Sequence, residues 1–242
     1  MLAFSAFYWV FFALTLPVFL AVAVLIFLVT APFDRRRVIL HLYTCFWASF
    51  YVYLSPIWRC RVRGRDRLPW KGPAVIVSNH LSLVDILILH RLYRPFKWVS
   101  KSSNFRIPFL GWNMRLNGYV PITRGQADSV LRMMARCRDL LDQGSPVLIF
   151  PEGTRSESGE LRPFKDGAFQ LAREAGVPVI PVAVSGTHQT LPKHGIVLRN
   201  RMDAVVDVLE PIDPANFPTV AALREAARAA IADALAWPGK GG

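Results

Sequence analysis

A histidine and an aspartate five positions apart, His80 and Asp85, stand in the stretch Val77-Ser78-Asn79-His80-Leu81-Ser82-Leu83-Val84-Asp85. Imidazole is the side chain best matched to proton transfer near neutral pH, and a neighbouring carboxylate can fix its tautomer and stabilise the charged ring. Read this way, the pair is a general-base dyad. The same residues also fit a helix start, with Ser82 as the cap and Asp85 reaching back to a free backbone N–H. The spacing alone leaves both readings open.

A second polar stretch, Phe150-Pro151-Glu152-Gly153-Thr154-Arg155-Ser156, follows the apolar run Val147-Leu148-Ile149. Gly153 lets backbone approach a ligand, Thr154 and Ser156 offer hydroxyls, and Arg155 carries a planar fork suited to phosphate oxygens. The loop can hold a phosphomonoester, or it can be a solvated loop with an Arg–Glu pair.

Both stretches need strands to hold them. Apolar β-rich runs near residues 58–63, 74–78, 96–100, 118–122, 146–150, 178–184 and 203–209 predict strands, and helices are expected near 84–92, 127–143 and 166–175. Pro218 opens a last amphipathic helix that places Val220, Leu223, Ala227, Ile231 and Leu235 on one face. The expected fold is α/β, a single sheet with flanking helices and the chemistry at strand exits, preceded by an N-terminal hydrophobic helical membrane segment. Residues 1–58 are expected as the membrane-associated region and 59–242 as the α/β domain.

Four blocks, in order, carry a resemblance. Asn79-His80-x4-Asp85, Gly118-Tyr119-Val120-Pro121-Ile122-Thr123-Arg124, Phe150 to Ser156, and Val177-Pro178-Val179-Ile180-Pro181-Val182 are similar to the motifs of the glycerolipid acyltransferases. The similarity is to the branch that acylates 1-acyl-glycerol-3-phosphate. It implies transfer of an acyl group from acyl-CoA or acyl carrier protein to a glycerol hydroxyl, forming phosphatidate, with no further cofactor. It implies His80 as base and Asp85 as its orienter, with Arg124, Glu152, Gly153, Thr154 and Arg155 around the acceptor's phosphate. Lys101 joins the substrate-binding set. Just after it this chain reads Ser102-Ser103-Asn104-Phe105, where the branch commonly carries a Glu-Leu pair.

The mechanism so implied needs no covalent enzyme intermediate, because a thioester is already activated. It does need N–H donors for the oxyanion, and backbone groups around residues 79–82 are candidates. The chain has no Gly-x-Ser-x-Gly elbow, which argues against a serine hydrolase. Two other readings stand beside the first: an acyltransferase for a different lysolipid, such as lyso-ornithine lipid, and a non-catalytic protein that binds anionic lipids.

Residues 2–33 contain no charged side chain, and Val38 to Trp58 contains only His41 as an ionisable group besides Tyr and Cys. As a helix the first run would be about 48 Å long, more than a hydrocarbon core of about 30 Å requires. Between residues 34 and 67 stand eight Arg against two Asp, half of the formal net charge of +12. Arg35 to Arg37 and the alternating Arg59 to Arg67 thus flank the second apolar run on both sides. The positive-inside rule favours the cytoplasmic side for both clusters, with a first run that spans or inserts deeply and a second that dips into or lies along the cytoplasmic leaflet; two ordinary spans with the globular part outside are the alternative. The catalytic domain is then expected on the cytoplasmic face of the membrane. Anionic phospholipids are the expected partner of these charges, not nucleic acid, for which no motif is present. The alternating arginines suit either a headgroup-facing strand or a solvated edge strand. Cys45, Cys60 and Cys137 lack pairing or ligand spacing, His41, His90, His188 and His194 form no ligand set, and no metal site is expected.

Overall fold

The computed structural model of the chain describes residues 2–188, 190–191, 197–198 and 201–236; His194 lies outside them. The chain begins with α1 (Leu2–Thr30) and α2 (Val38–Tyr53), followed by β1 (Trp58–Arg63), β2 (Val75–Ser78), α3 (Val84–Leu89) and β3 (Lys97–Lys101). It continues with α4 (Leu110–Leu116), β4 (Val120–Ile122), α5 (Ala127–Asp142), β5 (Val147–Ile149) and α6 (Gly167–Ala175). It closes with β6 (Val179–Ser185), β7 (Met202–Val208) and α7 (Val220–Ala236).

The strands form one sheet in the order β1-β7-β6-β2-β5-β3-β4. The run β6-β2-β5-β3-β4 is parallel throughout, whereas β7 is antiparallel to β6 and parallel to β1. Every residue of β2 is buried, as its unbroken apolar sequence requires of a strand covered on both faces. Alternation splits the core accordingly. Ile76, Leu148, Ile180 and Val206 point into one apolar cluster with residues of α1 to α3, and Val75, Val147 and Val179 into another with α5, α6 and α7.

Helix α5 buries Met133, Cys137, Leu140 and Leu141 along one stripe, and α7 buries Leu223, Ala227 and Ile231. The expected Leu235 is only partly buried against that cluster. All seven expected strands are present. Helix α4 was not foreseen, because Gly111 and Asn113 weaken its propensity and its seven residues are too few for a period to stand out.

Residues 1–58 divide by environment. Helix α1 is long and apolar enough to cross a membrane by length and composition, and Phe7, Leu14, Val18, Leu25 and Leu28 on it are exposed. Helix α2 instead buries nine residues, among them Leu40, His41, Thr44, Trp47 and Tyr51. It is part of the layer that covers the sheet. The two helices pack antiparallel through ring contacts: Phe19 stacks on Trp47 at 5.3 Å and Phe12 meets Tyr51 at 4.6 Å.

The arginines of β1 form an ion-paired edge. Arg61 lies 3.3 Å from Asp203 and Arg63 3.8 Å from Asp207, both on β7, and Arg67 reaches Glu210 at 2.7 Å. Asp203 and Asp207 on β7, and Glu210 just past it, thus sit against three of the alternating arginines.

Candidate active site

Five adjacent parallel strands leave the sheet at the same edge, and each delivers polar side chains there. In order across the sheet these are Thr187 after β6, His80 after β2, Glu152 to Arg155 after β5, Lys101 at the end of β3, and Arg124 after β4. Such an edge is where open α/β sheets place their ligands.

The histidine is held from every side. Asn79, fully buried, pairs its side-chain amide with the backbone of Val184 through two bonds of 2.8 Å, extending the β2–β6 ladder by side-chain means. The chain then leaves the sheet. The register Val77↔Ile149 carries forward to set His80 opposite Glu152. The His80 N–H donates to Glu152 Oε1 at 2.7 Å, and the His80 carbonyl accepts from the Ser156 N–H at 2.8 Å. The imidazole stacks on Phe150 at 4.0 Å with an 11° tilt. Ring nitrogen Nδ1 lies 2.8 Å from Asp85 Oδ2. With Nδ1 donating to that carboxylate, Nε2 is left as the basic nitrogen.

Asp85 combines the two roles between which the sequence left a choice. Its Oδ2 also accepts the backbone N–H groups of Leu81 at 2.6 Å and Ser82 at 2.8 Å. The carboxylate closes the turn and holds the ring with one oxygen. Its other oxygen, Oδ1, accepts from the Thr187 hydroxyl. Thr187 is fully buried and was not anticipated; a Thr two residues past the strand beside β2 was the available signal.

These bonds narrow one expectation. The N–H groups of His80, Leu81 and Ser82 all end on carboxylate oxygens, so three of the four backbone donors proposed for an oxyanion are already spent.

Glu152 is buried, and both of its oxygens hold backbone, Oε2 accepting from the Arg162 N–H at 3.2 Å. Burial pushes its carboxyl up to about 7, against the pull of the His80 and Arg162 N–H donors. In this position Glu152 bolts the His80 loop to the loop at Arg162. Gly153 has φ 72 and lies beneath the Lys165 side chain, which a Cβ would meet at 3.1 Å.

The remaining expected residues line one cavity of ≈ 680 Å³. Its polar end carries His80, Lys101, Arg124, Thr154 and Arg155. The guanidiniums of Arg124 and Arg155 are both lowered by burial, and Arg155 also feels the raising influence of Asp85 and the lowering influence of Arg124. Two cations facing one cavity, Arg124 near enough to lower Arg155, make a space suited to an anion. The rest of the cavity runs beneath the sheet between Trp98, Leu87, Met114, Trp47 and Phe12. Among the described residues no three His, Cys, Asp or Glu side chains gather as a metal-ligand set.

The fold and the strand-exit site are those of an α/β protein with its polar cluster at one sheet edge. The family model described as Acyltransferase matches residues 59–185, and this chain belongs to that family. A 1-acyl-sn-glycerol-3-phosphate acyltransferase of Chlamydomonas reinhardtii is 42% identical over 93% of this chain and 67% of its own length. A chloroplastic enzyme of the same name from Brassica napus is 40% identical over 74% of this chain, which spans only 52% of it. A bacterial one, from Pseudomonas aeruginosa, is 37% identical over 62% of this chain and 59% of its length. In fold, the chain resembles the crystal structure of the 1-acyl-sn-glycerophosphate acyltransferase PlsC of Thermotoga maritima, with a TM-score of 0.70, 23% identity, and coverage of 93% and 96% of the two chains.

Proposed function

We propose that this chain transfers an acyl group from an acyl thioester, carried on coenzyme A or acyl carrier protein, to the free hydroxyl of 1-acyl-sn-glycerol-3-phosphate, giving phosphatidate. The observation that carries the reading is the shared cavity: His80, fixed by Asp85, opens onto the space that Arg124 and Arg155 charge and that continues as an apolar channel. The relatives named for this acceptor support the same choice of substrate.

His80 Nε2 takes the proton of the acceptor hydroxyl as its oxygen attacks the thioester carbonyl. Charge develops on the carbonyl oxygen, and the Thr154 hydroxyl and the Lys101 ammonium, both on the cavity wall, are donors for it. Collapse breaks the C–S bond, and the leaving thiolate takes the proton back from the imidazolium. Asp85 stabilises that imidazolium while it exists. Arg124 and Arg155 hold the phosphomonoester, and Glu152 and Gly153 shape the loop that presents Thr154 and Arg155.

The membrane is part of the reading. Helix α1 sits in the bilayer, and the domain works on the cytoplasmic face, where Arg35 to Arg37 follow the apolar segment and thioester donors are made. Labelling of a cysteine engineered on α7 from outside intact cells would contradict that orientation.

An acceptor panel tests the function. Purified protein given acyl-CoA or acylated carrier protein should acylate lysophosphatidate well ahead of lysolipids that lack the phosphomonoester. Preference for another lysolipid, lyso-ornithine lipid included, would move the chain to a sister activity. Absence of transfer to any acceptor would leave a lipid-binding protein, which has no use for the His80–Asp85 pair.

A further inference from the structure

From the geometry of residues 106–112 we infer that this segment is a bilayer-facing lip: it seats in the membrane interface and passes acyl chains sideways from the lipid into the cavity. Ile107 carries the inference, because it is 45% exposed and also lines the cavity. It therefore stands at a mouth. Trp112, in the first turn of α4, is 49% exposed and lies 5.2 Å from the Phe109 ring. Arg106 and Arg115 flank these apolar groups and are exposed. An exposed tryptophan and aliphatic group between two arginines match the interface of an anionic membrane, where amphipathic rings and cations sit at headgroup level.

The exposure is built in. A glycine stands at position 111 because the Phe105 backbone lies against it, and a Cβ there would come within 2.3 Å of the Phe105 carbonyl oxygen. Phe109 is held at φ 62, a conformation that non-glycine residues rarely adopt. The Gly111 N–H donates to the Ile107 carbonyl at 2.8 Å. These contacts fix the lip as one piece and keep Trp112 and Ile107 from folding inward.

Position selects the occupant. Helix α4 packs against α1, whose outer side exposes Leu14, Val18, Leu25 and Leu28, so the lip continues an apolar face suited to lipid. The cavity borders the same pair, with Leu110 and Met114 contributed from one side and Trp9 and Phe12 from the other. A tail moving from the bilayer to His80 by this route need not cross water.

The test uses the full chain and separates presentation from chemistry. Acyl transfer is measured on lysophosphatidate in phosphatidylcholine–phosphatidylglycerol vesicles and in detergent micelles. Trp112→Asp should lower the vesicle rate about tenfold and leave the micelle rate within about twofold. Trp112→Phe should behave as wild type in both. Leu131→Asp, the same change at a 68% exposed residue on α5 across the sheet, should alter neither. A folded Trp112→Asp protein that loses both rates equally, or neither, overturns the lip. Because the inference rests on the proposed reaction, a second readout dispenses with turnover. An environment-sensitive dye on Pro108→Cys should be quenched by nitroxide-labelled acyl chains in those vesicles, and one on Leu131→Cys should not. No quenching at position 108 overturns the lip even if catalysis is intact, and quenching there supports it even if the acceptor proves to be a different lysolipid.

Discussion

The two ends of the cavity are held by opposite means. At the polar end His80 has its N–H, its carbonyl, its Nδ1 and its ring face each taken by a different group, on Glu152, Ser156, Asp85 and Phe150. At the apolar end Trp47, Leu87, Trp98 and Met114 define a shape, and nothing in that role demands a particular residue at a particular offset. Chemistry is therefore specified one atom at a time, whereas the tail is specified by volume. Single changes at the first end should be severe and all-or-none, and at the second graded.

The largest effect short of the dyad itself is expected at the anion site. Arg155→Ala should lower kcat/KM for lysophosphatidate by roughly thirtyfold, about 2 kcal/mol, the scale of a lost charge-assisted bond. The loss should shrink for acceptors without the phosphomonoester. An equal loss with both would place Arg155 in donor binding or folding.

A step smaller is Thr187→Val, which keeps the shape and leaves Asp85 Oδ1 without its donor. Turnover should fall about tenfold with little change in KM for the acceptor, and Thr187→Ser should restore it. A structural role alone would lower Tm and spare kcat.

At the apolar end, Ala48→Leu adds bulk to a wall residue. The prediction is a several-fold shift of preference toward shorter acyl chains at nearly constant kcat for the best chain. Comparable loss across all chain lengths would show that the cavity does not sort by volume.

The last effect concerns stability, not turnover. Lys97, buried at the start of β3, donates to the Asn117 carbonyl at 2.7 Å, and burial, with Arg37 next in influence, pushes its ammonium down to about 7. Above that value the folded protein holds fewer protons here than the unfolded chain, so stability should rise as pH climbs from about 7 toward the ordinary lysine range, by about 1 kcal/mol per pH unit. Lys97→Met should flatten that slope in urea titrations of the detergent-solubilised protein. An unchanged slope would assign the dependence to other groups.

The same contrast explains what could be read in advance. Strands are legible because their apolar runs are bounded by turn residues, whereas the His80–Asp85 spacing alone leaves a helix start equally open and the dyad reading comes from the four motifs in order. Glu152 was assigned to the phosphate because its motif pointed to the site, yet only the β2–β5 register reveals that it faces the His80 backbone. Thr187 depends on β6 lying beside β2, a pairing of distant segments. The partly buried environment of α2 was hidden too, since an apolar helix under a sheet and one in a leaflet have the same composition.

Asp85→Asn tests the central claim most directly. The amide oxygen can still accept from His80 Nδ1, Leu81 and Ser82, and the Thr187 hydroxyl can turn to accept from the new amide, so the turn survives and only the charge is lost. If Asp85 stabilises the His80 imidazolium, kcat should fall on the order of a hundredfold while fold and lysophosphatidate binding stay near normal. A well-folded Asp85→Asn enzyme with near-normal turnover would contradict the account and leave the carboxylate as a closure of the turn.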